Sequence, residues 1–385
     1  MKTLTHLGSP ARHVFGRTSR RFVGILPGML VGLGLASSAV AQWVTPAVNV
    51  PRVQQRLFQS VSAGTTVSYH VYTPPAYDQQ PQRRFPVLYW LHGLGSVLTG
   101  IGPLTSWFSQ AMAQGKIEPM LIVFPNGMPY GMWCNSKDGA TPMEDVVIGE
   151  LLPEVDRVFR TIPARNGRVL EGFSMGGYGA ARFGFKFPSM FAGVSMLGAG
   201  PLQLDFMDEP PGSPIPLELR EQIFATVYGN DPAYFLSQSP WVWAESNAGS
   251  IVAGGALLRQ LIGQADFTLP ANVALHDHLT TLGITHDYWS PAGVGHDVFG
   301  LFNSLGESNW GFYRGAFAQL PGTCAADVGE PPDGAVDTRD LVVVLGSFGR
   351  LVVPGTNGDI NFDGIINTLD LTALLGAFGS VCAGG

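Results

Sequence analysis

Ser174 sits between glycines at the spacing Gly172-x-Ser174-x-Gly176, within EGFSMGGYGAARF at residues 171–183. A serine hydroxyl is too weak an acid to attack an ester unaided; it needs a general base, and that base needs a carboxylate to orient it. Downstream, LLRQLIGQAD ends on Asp266 and PAGVGHDVFG holds His296 in a glycine-rich loop. Serine, acid and histidine in that chain order are one known arrangement of such a set, and its chemistry is acyl transfer through a covalent acyl-enzyme. The glycine spacing alone decides little, because 24 serines and 50 glycines in 385 residues supply about 0.4 matches by chance.

Each partner has competitors. His276, His278 and His286 also follow the serine, two of them in an expected helix and one at a strand start. Asp297 adjoins His296, and Asp277 lies within the same expected helix. Developing negative charge on a reacting carbonyl oxygen requires two backbone N–H donors. Met175, directly after the serine, is one; the loop in LYWLHGLGS supplies the other, Leu94 with Gly93 as its rival, and His92 is then structural. Cys134 reads as a small buried side chain rather than a nucleophile.

The elements around these residues must place the serine on a sharp turn. Arg168 to Phe173 is an apolar run suited to a strand, and Gly177 to Phe187 suits a helix stopped by Pro188. A strand-to-helix turn this tight leaves no room for side chains two before and two after it, which accounts for the glycines. TVSYHVYTP, PVLYWLHG, LIVFPNG, RVLEGFS, FAGVSMLGA, LRQLIGQAD and HDYWSPAG read as strands, several apolar throughout, as where both faces of a sheet are covered. Asp145 to Phe159 and Ala271 to Leu282 carry helical spacing. The alternation predicts an α/β fold with a mainly parallel central sheet flanked by helices. Residues 200–257, rich in Pro, Gly and Trp, read as an insertion over one end of the sheet and a possible lid.

The N-terminus carries Lys2, Arg12, Arg17, Arg20 and Arg21 without an acidic residue, then an apolar run from Phe22 to Ala36, then Ala39-Val40-Ala41. That order is a secretory signal over residues 1–41, with Gln42 as the first mature residue; an uncleaved membrane anchor is the alternative. Export would place the protein outside the cell or at its surface, with no membrane span in the mature chain. Losing those five cations takes the formal charge from −7 to −12, which argues against nucleic acid or an anionic membrane as partner.

After Pro321 the chain repeats itself. DGAVDTRDLVVVLGSFG (333–349) and DGIINTLDLTALLGAFG (363–379) are offset by 30 residues and share nine of 17 positions. In DINFDGIINTLD, Asp359, Asn361, Asp363, Ile365, Asn367 and Asp370 fall at positions 1, 3, 5, 7, 9 and 12 around Gly364, a spacing of oxygen donors that suits calcium, with Ile365 giving only its carbonyl. In the first copy Asp333, Asp337 and Asp340 fill positions 5, 9 and 12, but Asp327 lies six residues before Asp333 instead of four, so that loop is altered or weak. Each loop leads into an apolar helix, Leu341, Val344, Leu345 and Phe348 in one, Leu371, Leu374, Leu375 and Phe378 in the other, spaced to bury one face. Cys324 and Cys382 bracket this part and are the natural disulfide pair of an exported chain.

LYWLHGLGS, GELLPEVDRVF, GFSMGGYGAARF, the GQAD strand end and GVGHD occur in order and spacing that resemble the esterase family of α/β-hydrolases. That group includes S-formylglutathione hydrolases, feruloyl and acetyl esterases, tributyrin esterases and mycolyltransferases. The resemblance covers roughly residues 55 to 318. It implies Ser174 as nucleophile, His296 as base, Asp266 as orienting acid, Leu94 and Met175 as oxyanion donors, and no cofactor for catalysis. Residues 324–382 resemble a type I dockerin, a calcium-binding module that anchors secreted enzymes to cohesin partners, so the resemblance implies structural calcium and a cohesin-like protein. Together these imply domains over 42–321 and 322–385, and a secreted esterase acting on acetyl or feruloyl esters of plant polysaccharides. An acyltransferase on the same residues, or a non-catalytic binding or scaffold protein, are the alternatives.

Overall fold

The computed structural model describes residues 43–208, 210–317, 326–329, 335–352, 356–360 and 364–379. The expected leader (1–41), the Gln42 start, Cys324, Cys382, Asp333, Asn361 and Asp363 lie outside the described residues.

Eight strands form one sheet in the order β1-β2-β4-β3-β5-β6-β7-β8. They are β1 (Val53–Ser60), β2 (Thr65–Tyr72), β3 (Val87–Leu91), β4 (Leu121–Pro125), β5 (Arg168–Phe173), β6 (Gly193–Leu197), β7 (Leu257–Leu261) and β8 (Asp287–Trp289). β2 runs antiparallel to both β1 and β4, and every other pairing is parallel. Val87, Tyr89 and Leu91 of β3 join one core layer while Leu88 and Trp90 join the other, the period-two division of a strand covered on both faces. One layer receives the helix Met175–Lys186; the other receives the helices Ile101–Ala113, Val298–Leu305 and Asn309–Phe317.

The strand order places the site. The chain passes from β3 to β4 on one side and then crosses back to β5 on the other, so the C-terminal ends of β3 and β5 flank a topological switch point, where parallel sheets form ligand crevices. Phe173, Leu197, Leu261 and Trp289 are register partners at the ends of β5 to β8, so the loops after all four strands emerge along one edge.

Three expectations change. The helix expected over Asp145–Phe159 is a π-helical stretch, Asp145–Leu151, followed by the α-helix Leu152–Val158. Pro153 has no N–H to donate one turn back, and the wider turn before it absorbs that loss. Residues 200–257, expected as an insertion, are the β6-to-β7 connection itself. The helix Pro240–Gly254 within them packs on Met175–Lys186, Ala244 and Ile251 are in the core, and only the helices Leu217–Thr226 and Pro232–Gln238 precede that crossover helix.

In the tail, the helices Thr338–Gly346 and Thr368–Ala377 enclose a small core containing Val336, Val344, Ile366 and Leu374. The 30-residue repeat is matched in its bonding: Gly349 N–H donates to Ile366 O (2.7 Å) and Gly379 N–H to Val336 O (2.8 Å). The face expected to be buried is buried only in part. Leu345 and Leu375 are 53% and 56% exposed, and Phe348 and Phe378 are 44% and 45% exposed. Once Val344 and Leu374 point inward, the residue after each is turned about 100° away.

Candidate active site

Ser174 follows β5 directly and holds φ 59°, ψ −121°, a conformation an L-residue adopts only under constraint. Its N–H donates to Leu197 O of β6 (2.9 Å), and its carbonyl accepts from Tyr178 N (3.0 Å) and Gly200 N (3.1 Å). The flanking glycines are steric requirements. A Cβ on Gly172 would lie 2.2 Å from Gly176 O, and one on Gly176 would lie 1.9 Å from Leu91 O. Gly176→Ala is therefore expected to cost about 3 kcal/mol or more, since only main chain lies in the way. Gly249→Ala, in an exposed stretch of helix with nothing within 4 Å, should be neutral or gain up to about 1 kcal/mol. Urea unfolding of both variants checks the contrast.

His296 and Asp266 arrive from the loops after β8 and β7. His296 Nδ1 lies 2.8 Å from Asp266 Oδ2. The Asp266 side chain is fully buried, whereas that of His296 is 23% exposed. Asp266 Oδ1 accepts from Thr268 N (2.8 Å) and Thr268 Oγ1 (2.9 Å), so the buried carboxylate is hydrogen-bonded on both oxygens. A carboxylate at Nδ1 fixes the proton there and leaves Nε2 as the basic nitrogen. The imidazole packs between Phe173 (4.5 Å between ring centroids) and Phe267 (4.7 Å). A Cβ on Gly198 would lie 3.2 Å from Asp266 Oδ2 and 3.4 Å from His296 Cε1. The end of β6 thus touches both the serine's peptide and the acid–histidine pair.

The rival residues are engaged elsewhere. His276 Nδ1 lies 2.8 Å from His286 Nε2, and His278 Nε2 lies 3.3 Å from Glu245. Asp297 caps the helix Val298–Leu305 by accepting from Phe299 N (3.0 Å), and Asp277 is exposed. Cys134 is buried, and burial pushes its thiol up to about 11, so it holds no thiolate near neutrality.

The loop after β3 passes beside the serine: a Cβ on Gly93 would lie 3.3 Å from Ser174 Cβ. Among the described residues the Leu94 N–H donates to no acceptor, and Met175 opens its helix, where the N–H has no intrahelical partner. His92 holds this loop. Burial pulls its pKa down to about 4, so it is neutral; Nδ1 donates to Gly93 O (2.8 Å) and Nε2 accepts from Gly127 N (3.1 Å). Trp133 Nε1 donates to His92 O (3.2 Å) from a loop in which Met128, Met132 and Trp133 all have positive φ.

Sequence reasoning missed Thr268, Phe173 and Phe267 around the acid–histidine pair, and Gly127 and Trp133 beneath the β3 loop. Only Thr268 carried a local signal, a hydroxyl two residues after an aspartate, the spacing at which such side chains share turns.

In the tail, Asp359 and Asp370 are buried, and Asp359 Oδ2 accepts from Gly364 N (2.9 Å), where Gly364 turns at φ 79°. Asp370 accepts from Ile360 N (2.9 Å) and Asn367 N (2.8 Å). In the first copy Asp340 accepts from Val328, Gly329 and Asp337 N, and Asp337 caps the following helix. Among the described residues no three His, Cys, Asp or Glu side chains are placed to hold a metal ion.

Solved structures share the fold. A ferulic acid esterase superposes with a TM-score of 0.55 at 21% identity, covering 68% of this chain and 98% of that one. The S-formylglutathione hydrolase of Staphylococcus aureus gives 0.51 at 19% identity, covering 68% and 98%. The architecture is the α/β-hydrolase fold. Residues 60–259 match the family described as Putative esterase, and the chain belongs to that family. It is 31% identical over 175 residues to an endo-1,4-beta-xylanase/feruloyl esterase of Xylanibacter ruminicola, which covers 42% of this chain and 24% of that one. It is 34% identical over 169 residues to an esterase of Mycobacterium tuberculosis, covering 41% and 35%. The chain thus matches about a quarter to a third of the length of these curated relatives. No described helix is long and apolar enough to cross a membrane.

Proposed function

We propose that this chain is a serine carboxylic-ester hydrolase with Ser174 as nucleophile, His296 as general base and acid, and Asp266 as the carboxylate that orients the histidine. The observation that carries this reading is the 2.8 Å contact from His296 Nδ1 to a buried carboxylate, along the same sheet edge as a serine strained at φ 59°. As Ser174 Oγ attacks the ester carbonyl, its proton passes to His296 Nε2. The N–H groups of Leu94 and Met175 hold the negative oxygen of the tetrahedral intermediate. Collapse breaks the carbon–oxygen bond, His296 returns the proton to the departing alcohol, and an acyl-enzyme remains. Water then attacks, again giving its proton to His296, and Ser174 leaves as the hydroxyl.

Acetyl or feruloyl esters of plant polysaccharides are the substrate class, supported by the feruloyl esterase name of one relative. The test is hydrolysis of methyl and aryl esters of acetic, butyric and ferulic acids by wild type beside Ser174→Ala. Activity lost with the hydroxyl supports the reading, and equal inertness of both proteins on every ester refutes it.

The leader would export the protein, and the tail would tether it to a cohesin-like partner. The second loop suits calcium: two buried carboxylates, Asp359 and Asp370, stand at its ends, and a positive-φ glycine turns the chain between them. Asp359, Asn361, Asp363, the Ile365 carbonyl, Asn367 and Asp370 would hold the ion, which would stabilise a module with little core of its own. At calcium near 100 times its dissociation constant the gain is about 2.7 kcal/mol. Calorimetry should show the tail's transition fall in temperature with a chelator, and Asp359→Ala should remove that response.

A further inference from the structure

Two imidazoles meet where the helix Leu269–Thr281 faces the start of β8. His276 Nδ1, on the helix, lies 2.8 Å from Nε2 of His286, the residue before the strand. The next contact fixes which nitrogen of His286 holds the proton. Its Nδ1 lies 2.8 Å from Ile284 O, and a carbonyl can only accept, so Nδ1 donates and Nε2 of the neutral ring carries a lone pair. A neutral His276 gives its Nδ1–H to that lone pair. We propose that His276 Nδ1 and His286 Nε2 together bind a divalent transition ion of the copper or nickel class, with water as the remaining ligands.

The spacing selects the ion. Metal–imidazole bonds are about 2.0 Å long, so two of them at a right angle place their nitrogens about 2.8 Å apart, and two at the tetrahedral angle about 3.3 Å. The 2.8 Å separation is therefore that of adjacent ligands in tetragonal coordination, the geometry of Cu2+ and Ni2+, and imidazole is a donor that suits both. Binding breaks the N–H···N bond and forms two metal–nitrogen bonds. The proton of His276 moves from Nδ1 to its own Nε2, so both rings stay neutral.

The surroundings fit a cation. A ligating histidine characteristically donates its other ring N–H to a carbonyl or carboxylate, and Ile284 O already holds that position on His286. His276 stacks on Tyr288 (4.0 Å between centroids, 20° between planes), a contact that lets the ring turn in its own plane to aim Nδ1 at the ion. Both histidines are half-buried, so water reaches the site, and each is followed by an exposed aspartate, Asp277 and Asp287. The chain from 260 to 313 contains no Lys or Arg. His278, two residues on and about 200° around the helix, faces Trp241 and Glu245 and adds no ligand. Neither ring of the pair takes part in the serine mechanism, where His296 pairs with Asp266. The ion clips the helix to β8, a three-residue strand at the edge of the sheet.

The test adds Cu2+ or Ni2+ to the untagged chain, with calcium kept in excess so that the acidic loops of the tail do not compete. One equivalent of Cu2+ on wild type should give a paramagnetic resonance spectrum split by two nitrogens. Calorimetric titration with Ni2+ should show one site in wild type, weakened at least about tenfold in His276→Asn and in His286→Ala. The asparagine amide can still donate to His286 Nε2 but offers no imidazole, so this variant keeps the fold and loses the ion. Ni2+ at about 100 times its dissociation constant should raise the wild-type melting temperature by about 3 °C or more and leave that of His276→Asn unchanged. No binding to wild type, a copper spectrum without the nitrogen pair, or equal affinity in His276→Asn each overturns the proposal.

Discussion

Ser174→Ala is expected to lower kcat on any ester substrate by about 10^6-fold while leaving the fold in place. The size follows from what the hydroxyl does: without it no acyl-enzyme forms, and His296 can at best activate a water lacking the serine's position. Alanine should tolerate the site at least as well as serine, because the strained φ of 59° is enforced by the peptide contacts to Leu197 and Gly200 and not by the side chain. A parallel measurement of melting temperature separates the two effects. Activity should vanish with little change in stability, the reverse of Gly176→Ala, where the added methyl meets Leu91 O and the fold itself must give.

Asp266→Asn is expected to cost about 10^4-fold in kcat, and the structure supplies the reason. Thr268 donates both its N–H and its hydroxyl to Oδ1 of the aspartate. An asparagine side chain satisfies those donors only by turning its oxygen toward Thr268, which points its NH2 at His296 Nδ1. The histidine must then accept at Nδ1 and carry its proton on Nε2, the nitrogen that has to take the serine's proton. Thr268→Val removes one of the two donors and should cost far less by itself. Combined with Asp266→Asn, it should recover part of the lost activity, because the amide is then less strongly held in the unproductive orientation. Steady-state kinetics on the two single variants and the double variant checks both the loss and the partial recovery.

The elbow was legible because its demands are local: glycine two before and two after the serine follows from a clash of main chain with main chain. The pairing of Asp266 with His296 was legible from the ends of strand-like runs, since a parallel sheet delivers the loops after its strands to one edge. What brackets those residues was not. Phe173 and Phe267 reach His296 through packing, and Trp133 meets the carbonyl of His92 from 41 residues away. No periodicity reports a contact of that kind. The β6-to-β7 connection was misread for a related reason. Its proline and tryptophan content suggested an excursion, yet Pro240 begins a helix capped by Ser239, and Ala244 and Ile251 carry it onto the core. In the tail, helical spacing located two apolar stripes but not which edge of each would face inward. With a core this small, Leu345, Phe348, Leu375 and Phe378 remain at the surface.

The central claim is that Ser174 is a nucleophile activated by His296. The most direct test is the intact mass of the protein after treatment with an organophosphate ester that traps activated serines. The account predicts a single phosphoryl adduct, mapped by peptide analysis to Ser174, absent from Ser174→Ala and formed about 10^3-fold or more slowly in His296→Ala. An adduct that forms at another residue, or at Ser174 with the same rate when His296 is replaced, would contradict it.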